Sequence, residues 1–118
     1  MVRKMEIGIM SRDKFKQYTL DIAEGKRKPG KEEPKVWFDS IESLAQVLSS
    51  KNRELLKIIK ERTPGSLKEL ADATGRSPGN LSRTLKNMEQ YGIVELRKEK
   101  KAVKPLVCFD SFEAEFGY

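Results

Sequence analysis

Arg83, Lys86 and Asn87 lie in a segment whose apolar residues Leu81, Leu85 and Met88 recur at i, i+4 and i+7. At ~100° per residue that spacing turns the apolar side chains to one side of a helix. Gly79, Arg83, Lys86, Asn87 and Gln90 then fall on the other, with Asn80 and Ser82 flanking. The outward set contains no carboxylate, whereas a solvated helix face usually mixes both signs. Guanidinium, ammonium and carboxamide groups make paired hydrogen bonds to base edges in a major groove or hold phosphate oxygens. Beyond this helix, Lys98, Lys100 and Lys101 fall in a basic run ending at Lys104 and are suited to tracking phosphates or the minor groove. Arg76 and Ser77, just before the helix, are placed to anchor a nucleic-acid backbone.

Much other chemistry is excluded by what is missing. The 118 residues include no histidine and one cysteine, so the commonest metal ligand and the best proton shuttle near neutrality are absent. No clustered acidic motif invites Mg²⁺. Gly75 to Gly79 lacks the Gly-Lys-Ser/Thr ending and the preceding strand of a phosphate-binding loop. The sequence therefore predicts no catalytic residues, no metal site, no cofactor and no enzyme. Cys108 sits in an apolar stretch, as a buried structural thiol would.

Charge has a location as well as a sum. The net charge is +6: residues 1–35 carry +4, Val36 to Gly75 is neutral, Arg76 to Lys104 carries +5, and the stretch after Lys104 carries −3. The excess from Arg76 to Lys104 is the electrostatic footprint expected of a phosphate-binding surface; a solvated basic face kept for solubility is the plainer alternative. Mean hydropathy of −0.64 and 36% charged residues argue against a membrane protein. No secretory or transit segment is visible at the N-terminus, so a cytoplasmic location is expected.

The elements that must position these residues carry clear signals. Ser66-Leu67-Lys68-Glu69 reads as a capping box after the Pro64-Gly65 turn, with Glu69 expected to reach back to the N–H of Ser66. It opens a short helix with Leu67, Leu70, Ala71 and Ala73 on its apolar face. Thr74-Gly75-Arg76 breaks that helix, and Ser77-Pro78 restarts the chain as N-cap and first helical position. Gly92 ends the second helix. Ile93 to Arg97 and Leu106 to Phe109 read as strands, with Lys98 to Lys104 as a wing between them.

Upstream, Val2 to Met10 suggests a strand, and Ser11 caps a helix to about Glu24 with Phe15, Tyr18 and Ile22 in one stripe. Gly25 to Pro34 has the composition of a basic linker, which could lie along a DNA backbone but is more often simply solvated. Val36-Trp37-Phe38 is extended, Asp39 with Glu42 offers a capping box for a helix through about Leu48, and Ser49 or Ser50 caps the next, with Leu55, Leu56, Ile58 and Ile59 inward. Phe112, Ala114, Phe116 and Tyr118 alternate with acids as a strand does, although Phe109, Phe112 and Phe116 also fit a helical stripe.

Ser66 to Ala71 is similar to the "S-x-x-E-L-A" start of the first motif helix in winged-helix regulators of the MarR and ArsR types. Asn80 to Leu85 through Tyr91-Gly92-Ile93-Val94 looks like their recognition helix and its exit. The closer resemblance, over roughly residues 36 to 116, is to small prokaryotic predicted transcriptional regulators in which Gly75-Arg76 opens the turn and a hairpin ends near a proline, here Pro105. A sheet-forming segment precedes their DNA-binding core. The chain departs from them at Pro78-Gly79, where longer polar residues are more common.

The expectation is an α+β, mainly α chain. Residues 1–35 would form an N-terminal strand-helix extension with its basic linker, and residues 36–118 a winged helix-turn-helix DNA-binding domain with a C-terminal strand. The function expected is that of a sequence-specific regulator on double-stranded DNA, a repressor acting as a homodimer, with the terminal strands covering a surface within the subunit or pairing across a twofold axis. The competing expectation is a protein-interaction module, such as an antitoxin bound to its toxin or a complex subunit, that uses the winged helix as a scaffold.

Overall fold

Serine starts every helix among the described residues, which are 3–26 and 36–116 of the computed structural model. Ser11, Ser40, Ser49, Ser66 and Ser77 each accept from the backbone N–H three residues on, at 3.4, 3.0, 3.3, 3.1 and 3.2 Å. Each such cap is worth about 1 kcal/mol. They open α1 (Arg12–Ala23), α2 (Ile41–Val47), α3 (Ser50–Arg62), α4 (Leu67–Thr74) and α5 (Pro78–Gln90). Two expected details change. The cap of α2 is Ser40 rather than Asp39, and the Glu69 carboxylate takes the N–H of Gly65 at 2.7 Å, one residue earlier than the ideal box.

Strands β1 (Lys4–Ile9), β2 (Val36–Phe38) and β5 (Ser111–Glu115) form one sheet in the order β2-β1-β5, both neighbours parallel to β1. The register sets Met5 beside Phe112 and Ile9 beside Phe38, so these side chains share the face turned to the core. Gly8 lies beside Trp37 on the opposite face, where α1 covers it: the Trp37 ring sits 6.0 Å from that of Phe15 and 5.8 Å from that of Tyr18. β5 is thus a strand, and the helical alternative for Phe109, Phe112 and Phe116 falls away. Of the two arrangements expected for the terminal strands, the structure shows the one within the subunit. The terminal strands pair with each other inside one chain, through Lys4↔Ser111 to Gly8↔Glu115, reinforced by a Lys4–Glu113 ion pair of 2.8 Å.

Strands β3 (Val94–Glu99) and β4 (Ala102–Val107) make a separate antiparallel ribbon. β3 runs on to Glu99 and β4 begins at Ala102, so the connection expected over Lys98 to Lys104 shrinks to a tip of Lys100 and Lys101, while Cys108 and Phe109 fall beyond the end of β4. Pro105 is accommodated opposite Leu96, whose N–H turns away from β4 to the Glu89 carboxylate at 3.0 Å, leaving no ladder bond there for proline to break.

One core joins these parts. Met5 and Ile7 of β1 and Phe38 of β2 belong to the same buried cluster as Leu55, Ile59, Leu70, Leu81, Leu85, Met88 and Ile93. Lys60 of α3 pairs with Asp110, whose N–H donates to the Arg3 carbonyl and whose carboxylate accepts the Arg3 N–H, tying the entry of β5 to both layers. The boundary expected at residue 35, with most of the basic linker, lies outside the described residues. The molecule is α+β and mainly helical, and none of its described helices is long and apolar enough to cross a membrane.

Candidate nucleic-acid interface

The inward side chains fix which face α5 presents. Leu81 and Leu85 are fully buried and Met88 is 1% exposed, so each contributes roughly 1.5–3 kcal/mol and the helix has no freedom to roll. Gly79, Asn80, Arg83, Lys86 and Asn87 are exposed in consequence, while Ser82 is half-buried at the flank. Its position is also set from below: Gly75, at φ 74, turns the chain after α4, and only Gly75, Arg76 and Ser77 separate the two helices.

Among the described residues, no carboxylate pairs with Arg83, Lys86, Lys98, Lys100 or Lys101; Arg97 turns its guanidinium to Glu95 at 3.4 Å instead. The ribbon tip is exposed from Arg97 to Lys101. Lys100 takes a left-handed backbone, φ 54, a conformation usually left to glycine or asparagine. Gly79 is unusual in the opposite sense, since nothing lies within 4 Å of where its Cβ would be.

Arg76 is placed differently from the free backbone anchor expected. Its guanidinium donates to Asn52 Oδ1 at 3.2 Å and to the Lys51 carbonyl at 3.0 Å, locking the turn onto the start of α3. The Asn52 amide in turn donates to the carbonyls of Gln46 and Val47 at 3.2 and 3.1 Å, so one side chain joins α2, α3 and the turn. The Ser77 hydroxyl is engaged as the cap of α5.

Sequence reading missed Lys51, which with Ser49, Ser77 and Asn80 lines a hollow of about 500 Å³ where the N-termini of α3 and α5 converge. The partial positive charge of two helix starts and the Lys51 ammonium favour an anion there. A lysine in the first turn, two residues after the Ser49 cap, was the available signal. The remaining chemistry is sparse: no three His, Cys, Asp or Glu side chains meet among the described residues. Burial pushes the Cys108 thiol above its usual range, with Glu95 adding to the shift and Arg3 opposing it.

The candidate surface is thus made of α4, a three-residue turn, α5 with its exposed Arg83 and Lys86, and the tip of the β3–β4 ribbon. By sequence, residues 47–114 match the HVO_A0114 family, and the chain belongs to that family. The match runs from the last residue of α2 into β5; β1, α1 and β2 lie outside it. No curated protein and no solved structure matches the chain.

Proposed function

We propose that this chain is a winged-helix regulator that binds double-stranded DNA sequence-specifically. In this reading α5 enters the major groove with Arg83, Lys86 and Asn87 toward base edges or adjacent phosphates, and Asn80 and Ser82 flank them. The β3–β4 ribbon is the wing, and Ser77 with the hollow beside Lys51 receives backbone phosphate. The observation that carries the reading is the set of unpaired cations on α5 and the ribbon tip, held by a helix that cannot roll. A homodimer, acting as a repressor, suits pseudo-palindromic sites with half-sites about 34 Å apart. Among the described residues, the outer edges of β2 and β5 have no neighbour within the sheet, and β5, the longer of the two, offers an edge for a second copy to extend.

Selection from random duplexes tests the reading directly. A preferred site is expected, and Arg83→Ala should cost ~1–3 kcal/mol there while relaxing one base position, because a guanidinium fork fits guanine O6 and N7. Replacing Lys98, Lys100 and Lys101 together with alanine should weaken binding to every duplex and flatten the salt slope by roughly 0.9 per lost contact. If no duplex is preferred, or Arg83→Ala leaves the preference intact, direct readout by α5 is refuted. An unchanged salt slope removes the ribbon from the interface.

A further inference from the structure

A cavity of about 640 Å³ opens where the N-terminal layer meets the end of α5, between β2 and the segment Glu89 to Gly92. Aromatic rings make its walls. Tyr91 stacks on the buried Phe38 at 4.2 Å between centroids, nearly parallel at 14°, and Trp37 packs against Phe15 at 6.0 Å, so the rings that reach the cavity are those of Tyr91, Trp37 and Phe15. Its size falls within the range of sites for small organic ligands, which are mostly apolar with a few convergent polar groups.

The polar groups decide the ligand's charge. Asp39, Glu89 and Arg12 also line the cavity, giving two carboxylates against one guanidinium. Arg12 stands off from Asp39 at 3.8 Å, with its side chain 90% exposed. Glu89 accepts the Leu96 N–H at 3.0 Å and has no lysine or arginine partner among the described residues. Aromatic faces are themselves electron-rich and attract cations, most strongly where water is excluded. An anion would meet both the carboxylates and the ring faces unfavourably.

We infer that this cavity binds a small lipophilic organic cation, held between the aromatic walls and the Asp39 and Glu89 carboxylates. Because Glu89 and Gln90 end α5 and Tyr91 caps it, the occupant touches the helix proposed to read DNA. That coupling rests on the DNA-binding reading; the site itself does not.

Trp37, the chain's one tryptophan, lies in the wall and reports occupancy. Titration of the intact protein with tetraphenylphosphonium should quench or shift Trp37 fluorescence saturably, while the anion anilinonaphthalene sulfonate should bind far more weakly. Glu89→Gln keeps an oxygen to accept the Leu96 N–H and removes the charge, so it should weaken tetraphenylphosphonium by roughly tenfold with the fold unchanged by circular dichroism. Tyr91→Leu, which keeps apolar bulk and loses the ring, should weaken it as well. Absence of saturation, equal binding of the anion, or full affinity in Glu89→Gln would each overturn the assignment. Duplex affinity measured with and without saturating cation forms the second arm. If the cation binds in a protein that prefers no duplex, the DNA reading fails and the site stands; if a duplex is preferred and no cation binds, the reverse holds.

Discussion

Gly79 and Lys100 both sit where local backbone energetics favour another residue. A glycine in a helix costs up to about 1 kcal/mol relative to alanine, and neither a positive φ nor a close neighbour requires one at Gly79. Lys100 bears the converse cost, because a Cβ in the left-handed region is strained by about 1–2 kcal/mol that glycine escapes. Residues that break a local rule without a compensating contact point to function. A bare helix start lets a phosphate or base approach the backbone, and a lysine at the ribbon tip supplies charge. Gly79→Ala and Lys100→Gly should each raise stability by roughly 0.5–1 kcal/mol in urea melts. Each should also weaken duplex binding. A variant that gains stability and binds as well as the parent would show its residue to be idle in the interface.

Helices were far more legible than strand pairings, because a helix announces itself within a few residues. The serine caps, the Gly75 turn and the Leu81-Leu85-Met88 stripe all lie close along the chain, and all appear in the structure. The capture of Arg76 by Asn52 spans a separation of 24 residues, and the Lys4–Glu113 contact between β1 and β5 spans 109, so no local pattern encodes either. The connection between β3 and β4 is shorter than the sequence suggests because charged residues such as Lys98 and Glu99 lower strand propensity, yet an exposed ribbon accepts them. Gly8 carried a signal that sequence reading passed over: a glycine amid an apolar strand marks a close approach. A Cβ there would lie 2.4 Å from the Trp37 ring. Gly8→Ala should therefore displace the indole, costing about 1–3 kcal/mol and moving Trp37 emission to longer wavelength. An unshifted spectrum with unchanged stability would mean that the strand and ring do not pack as described.

At the scale of the whole molecule, the sheet and the helical layer depend on each other. β1 is the central strand of its sheet, with Met5 at 3% and Ile7 at 1% exposure inside the cluster that also holds Leu55, Leu81 and Leu85. Removing residues 1–10 would therefore open the core and leave β2 and β5 without their shared neighbour, so truncation cannot report on dimer formation alone. Intact-chain sedimentation can: a mass twice the 13.5 kDa of one chain is expected, and a monomer at micromolar concentration would refute the dimer. The shared core makes a further demand on unfolding. Trp37 reports the N-terminal layer, while far-ultraviolet circular dichroism is dominated by α3, α4 and α5, so the two probes observe opposite sides of one cluster. A core built across both layers gives neither a separate hydrophobic reason to persist, and small domains so constructed unfold in a single cooperative step. The two urea transitions should coincide in midpoint and slope. Loss of the Trp37 signal at a lower midpoint than the helical signal would show the β2-β1-β5 layer to be an independent unit, and a ligand bound between it and α5 would then stabilise the first transition selectively.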